Sequence, residues 1–124
     1  MGLDIYFYDG VGEDAKEIEI ESHLQITHNL NTVVNELGMT VGLFYYELIW
    51  RPDELLNCEN GKVRVKDVLI HLPDLISNLV FYQDRLEKHL PENGYGSFEW
   101  LYKFLCDYLK ECCLHQNAYI YCCR

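Results

Sequence analysis

The residues of this chain best suited to chemistry are carboxylates. Asp9, Glu13, Asp14, Glu17, Glu19 and Glu21 crowd the stretch YDGVGEDAKEIEIE. Residues 1–60 carry twelve acidic side chains against two basic ones, Lys16 and Arg51, whereas residues 61–124 carry eight of each. The formal charge of −10 therefore belongs to the first half of the chain. Such a surface repels nucleic acid and anionic lipid and attracts a basic partner. If Glu17, Glu19 and Glu21 share one strand face they stand about 6.6–6.8 Å apart, two strand rises. A DNA strand carries a phosphate per ~3.4 Å of axis, so the row is an electrostatic decoy of about half that density. The competing explanation is a solvated face that guards an exposed strand against edge pairing.

Three polar clusters suit a small anion. Thr27-His28-Asn29 sits at the expected start of a helix, where free backbone N–H groups hold negative charge. Trp50-Arg51-Pro52 sets an indole beside a guanidinium, a clamp for phosphate or carboxylate or, more plainly, a salt bridge. The loop 92–96 brings Asn93 and Tyr95 as further candidates. His115 with Cys112, Cys113, Cys122 and Cys123 invites zinc, but the spacing lacks the CxxC knuckles of a structural site. There is no GxSxG elbow, Walker A loop or HExxH helix. No catalytic residue, metal or cofactor is therefore expected.

The elements that position these groups are read from periodicity. Leu3 to Tyr8 is rich in aromatic and β-branched residues and predicts a strand; Asp9-Gly10 and Gly12 turn the chain; Glu17 to Glu21 alternates as a second strand, closing an antiparallel hairpin. Leu30, Val33, Val34 and Leu37 follow helical spacing, with Thr27 or Asn29 as N-cap and Gly38 as C-cap. Val41 to Trp50 predicts a short helix stopped by Arg51-Pro52. Residues 55–61 read as a polar loop closed by an Asn60-Gly61 turn, and Val63 and Val65 suit a brief extended piece before Asp67. A long helix from Asp67 buries Val68, Leu72, Leu75, Ile76, Leu79, Leu86 and Leu90, either kinked at Pro73 or starting at Asp74. Ser97 caps a last helix, and residues 118–123 form a terminal strand that joins the hairpin. The expected fold is a single α+β domain over 1–124, a sheet of about three strands (the N-terminal hairpin plus the C-terminal strand) packed with about four helices.

The polar clusters also carry a resemblance. Thr27-His28-Asn29-Leu30, Trp50-Arg51-Pro52-Asp53-Glu54 and Pro91 to Gly96, followed by a helix and a strand ending in Arg124, resemble a family of small phage and prophage proteins with ITHNL, WRPEE and NPENGWG-type motifs. The likeness spans residues 26–124; Tyr95 stands where the family has tryptophan, and the acidic hairpin is long for it. The resemblance implies no catalytic residues, but it does imply a bacterial cytoplasm as the setting, in keeping with six cysteines held as reduced, mostly buried thiols.

Neither a secretory leader nor a membrane span is expected: the first ten residues lack a basic region, and the longest apolar run is far below the ~20 residues a span needs. The leading expectation is an anti-defence inhibitor of anti-CRISPR kind that binds a basic or nucleic-acid-binding host protein through Asp9 to Glu21, with no direct nucleic acid or membrane contact. The second is a protein that sequesters a small anion or nucleotide signal on Thr27, His28, Asn29, Trp50, Arg51, Asn93 and Tyr95. The third is a structural or assembly role, which would show as a homo-oligomer.

Overall fold

The computed structural model describes residues 2–91 and 96–124, so Asn93 and Tyr95 lie outside the described residues. The strands are β1 (Gly2–Tyr8), β2 (Glu17–Ile18), β3 (Gln25–Thr27), β4 (Cys58–Glu59), β5 (Lys62–Arg64) and β6 (Tyr119–Cys123). The helices are α1 (Asn31–Val41), α2 (Tyr45–Trp50), α3 (Pro52–Leu55), α4 (Val65–Leu69), α5 (Leu72–Phe81), α6 (Gln83–Leu86) and α7 (Phe98–Leu114), with 3₁₀ turns at His28–Leu30 and Glu87–His89.

The class is α+β, but the expected sheet of three strands with four helices is wrong. All pairings are antiparallel in one six-stranded sheet of order β2-β1-β6-β5-β4, with β3 also on β1. The extra strands are two or three residues long, too short to show a period of two. β4 comes from what reads as a polar loop, and β5 is the brief extended piece around Val63; Asn60 and Gly61 both take positive φ (53° and 75°) and join them in a tight turn. The expected long helix is three α-helical pieces. Pro73 sits in the first turn of α5, where its missing N–H costs nothing.

β6 lies between β1 and β5, pairing Asp4 to Tyr8 with Tyr119 to Cys123 and Val63 with Ile120. One sheet face is buried: Leu3, Ile5, Phe7, Ile26, Val63, Ile120 and Cys122 join the helix residues Leu37, Leu75, Leu79, Leu105 and Tyr108 in one core. α7 packs against α4, α5 and β3, and Ser97 Oγ accepts from Trp100 N at its start (3.1 Å). In each vicinal cysteine pair one thiol is buried (Cys112, Cys122) and one exposed (Cys113, Cys123), as the geometry of adjacent residues requires. Burial pushes the Cys112 thiol far up and the Cys122 thiol up to about 12.

The C-cap of α1 is Gly42 rather than Gly38: Gly42 takes φ 74°, ψ 31° and its N–H bonds the Gly38 carbonyl. Gly38 instead permits a close approach, since a Cβ there would stand 2.5 Å from the Leu43 carbonyl oxygen. No described helix is long and apolar enough to cross a membrane.

Candidate functional site

The acidic stretch lies on the outer edge of the sheet. Lys16 N donates to Asp9 Oδ1 (2.8 Å) and Asp9 N to the Lys16 carbonyl (3.0 Å), closing the turn between β1 and β2. Asp9, Glu13, Asp14, Glu17, Glu19 and Glu21 are all exposed, while Ile18 and Ile20 are half-buried between them. The regular carboxylate row does not form, because pairing with β1 covers only Glu17 and Ile18. The chain then swings away and rejoins the same edge of β1 at Gln25. The swing is pinned from the core: Ser22 N donates to Oε2 of the fully buried Glu111 (3.0 Å). Glu21 pairs with Lys110 (3.1 Å). Glu13, Asp14, Glu17 and Glu19 engage no described residue by hydrogen bond or ion pair.

Next to this edge is a surface that sequence reasoning missed. The sheet face away from the core carries Tyr6 opposite Tyr121 and Tyr8 opposite Tyr119, with Arg64 opposite Tyr119 and Glu17 opposite Tyr8. Tyr6 and Tyr121 are 36% and 38% exposed, so no helix covers them. Tyr8 and Tyr121 meet edge to face at 6.4 Å, and Lys62 Nζ stands 4.8 Å from the Tyr8 ring centroid, a cation–π contact. Asp4 foremost, then partial desolvation, with Cys123 and Glu17 behind them, raises the Tyr6 phenol above its ordinary value. The available signal was the tyrosine at every second position of IYFY and of YIY.

The polar clusters meet at another end of the molecule. Thr27 caps the 3₁₀ turn, its Oγ1 accepting from Asn29 N (3.4 Å). The expected helix start at Thr27-His28-Asn29 is thus a three-residue 3₁₀ turn, and Thr27 meets one of its backbone N–H groups. His28 stands edge-on to Trp50 (6.1 Å, 88°), and Tyr46 lies flat on the same indole (5.5 Å, 11°). Asn31 Nδ2 donates to His28 Nε2 (3.0 Å), leaving the ring proton on Nδ1. Gly96, with φ 138°, packs on this turn, where a Cβ would be 2.9 Å from Leu30 Cγ and 3.2 Å from Thr27 Cγ2.

Arginines close the cluster. Arg51 Nη1 bonds Glu54 Oε2 at 2.6 Å. Arg124 Nη1 donates to Asp53 Oδ1 (2.8 Å) and the Trp50 carbonyl (3.1 Å), and Nη2 to Asp53 Oδ2 (3.4 Å) and Glu54 Oε2 (3.3 Å). The hydrogen bond from Arg124 holds the Asp53 carboxyl below the usual value. Trp50 is buried, and its Nε1 has no hydrogen-bond partner among the described residues.

His28, Trp50 and Arg51 are therefore brought together, joined by Tyr46 and Arg124. His115 Nε2 lies 3.8 Å from Glu111 Oε1, and among the described residues no group of three or more His, Cys, Asp or Glu side chains is placed to hold a metal ion. Comparisons with protein-family models, curated proteins and solved structures find no match.

Proposed function

We propose that the chain works by binding: a small phage-type protein that inhibits a host defence complex stoichiometrically, in the manner of an anti-CRISPR, by offering its acidic edge and the adjoining tyrosine face to a basic, nucleic-acid-binding surface. The observation that carries this reading is that Glu13, Asp14, Glu17 and Glu19 stand exposed with no described partner. An unpaired carboxylate keeps its long-range attraction for a cation, whereas a paired one has spent most of it locally. The tyrosines beside them add large, rigid contact area and ring faces that accept arginine or lysine. A chain of net charge −10 is a poor ligand for nucleic acid itself. The phage-type motifs support a bacterial cytoplasm as the setting.

The test is capture of partners from host lysate on the immobilised chain at low and high salt, followed by titration of the captured complex. Exposed charge pairs weaken once the Debye length falls from ~10 Å at 0.1 M salt to ~3 Å at 1 M, so capture should fade over that range. Replacing Glu13, Glu17 and Glu19 together by glutamine should weaken affinity by about tenfold or more, near 0.5 kcal/mol per contact. Unchanged affinity would falsify the electrostatic mechanism, and a homo-oligomer without a bound partner would point to an assembly role instead.

A further inference from the structure

The acidic edge leaves one well-built feature unused: the cleft of ≈ 390 Å³ lined by Gly2, His28, Tyr46, Trp50, Arg51 and Arg124. We infer that it binds a nucleotide-class ligand, a planar ring carrying phosphate. Its volume falls within the range of small-molecule sites. Its lining holds two guanidiniums, while the carboxylates that pair with them, Asp53 and Glu54, stand outside the lining. The other polar clefts each include carboxylates: Asp4, Glu17 and Glu19 at the β1–β2 edge, Glu47 between α1 and α2, Glu59 beside β4.

The parts match the two halves of such a ligand. Tyr46 is half-buried and backed flat by the buried Trp50, giving a rigid ring on which a base can stack. His28 stands at a right angle to that stack and offers its Nδ1 proton. For the phosphate, Arg51 is exposed; Glu54 and the Tyr46 hydroxyl engage part of its guanidinium, and the five N–H donors of the fork exceed those two partners. Asp53 and the Trp50 carbonyl hold Arg124 in position before any ligand arrives, which lowers the ordering cost of binding.

The test uses the full chain in a Trp100→Phe background, so that Trp50 is the one remaining tryptophan and reports on the cleft. Inorganic phosphate, adenosine monophosphate and a cyclic dinucleotide are titrated against its fluorescence. The expected result is saturable binding of a nucleotide at least tenfold tighter than phosphate. Arg51→Gln should weaken it by about tenfold or more, the loss of a charge-assisted hydrogen bond. Glu54→Gln should tighten it by up to about fivefold, because it removes a competing carboxylate from Arg51; a purely structural Arg51–Glu54 pair could not produce that gain. The triple glutamine variant of the acidic edge should bind nucleotide as before, which separates this site from the partner surface. No saturable change with either nucleotide, equal binding of phosphate, or indifference to Arg51→Gln overturns the inference.

Discussion

The guanidinium of Arg124 reaches from the end of β6 to a carboxylate that stands far away in sequence. Its paired bonds to Asp53 fix the short α3 helix against the sheet. A double-mutant cycle of Arg124→Gln and Asp53→Asn should return a coupling of about 1 kcal/mol in urea denaturation, the upper range for an exposed pair with good geometry. The sign with pH follows from Asp53. Its folded carboxyl titrates below the unfolded one, so its contribution is present above about pH 4, the unfolded value, and is lost as pH falls through the folded value. Acid unfolding of Asp53→Asn should lack that component. At this scale the sequence singled out His28, Trp50 and Arg51, which the fold brings to one cleft. It was silent on Arg124 as their neighbour, because a long-range ion pair leaves no local pattern. Glu111 was equally hidden: next to Lys110 and one helical turn from Asp107 it looks like a solvated charge, yet it is buried in the core.

Among the elements, the interrupted outer edge is the most informative. β2 and β3 occupy the same side of β1, and Glu111 on α7 anchors the chain between them through Ser22. Glu111→Ala leaves the Ser22 N–H without an acceptor and opens a void, a loss of about 2–3 kcal/mol. Glu111→Gln keeps an acceptor and should cost about half as much, with amide exchange at Ser22 rising far more in the alanine variant. The loop after α1 gives a second contrast. Gly38→Ala must displace the Leu43 carbonyl, a clash of about 1–3 kcal/mol. Gly42→Ala meets no atom within 4 Å and pays about 1 kcal/mol for its left-handed backbone alone. Thermal denaturation of the pair should order them that way. Periodicity revealed β1, β6, α1 and α7, the elements long enough to show a stripe. It could not reveal β3 or β4, whose two or three residues are held by their partners rather than by propensity, nor the break at Tyr82, where no proline or glycine marks it as Pro73 marks the start of α5.

For the whole molecule, charge and shape divide the surface into two ends. The acidic edge and tyrosine face lie along β2, β1 and β6, and the arginine-lined cleft lies where the start of β1 meets the end of β6. Raising salt should therefore act oppositely on two properties. It should weaken capture of a basic partner, while relieving self-repulsion of the ten excess negative charges and so raising the melting temperature modestly. A melting temperature that falls with salt would show that local pairs outweigh the net charge.

The central place of β6 has a consequence for how the chain folds. β1 and β5 never touch as neighbours; each is joined to the other through residues 119–123. The sheet's middle strand is thus the last of its strands in chain order, and its pairing with β1 closes a loop of nearly the whole described chain. That closure entropy must be met before any ladder bond across β6 repays it, so folding is expected in the slow range of high-contact-order domains. Helices can flicker into place early, but the two halves of the sheet acquire a common register in a single late event.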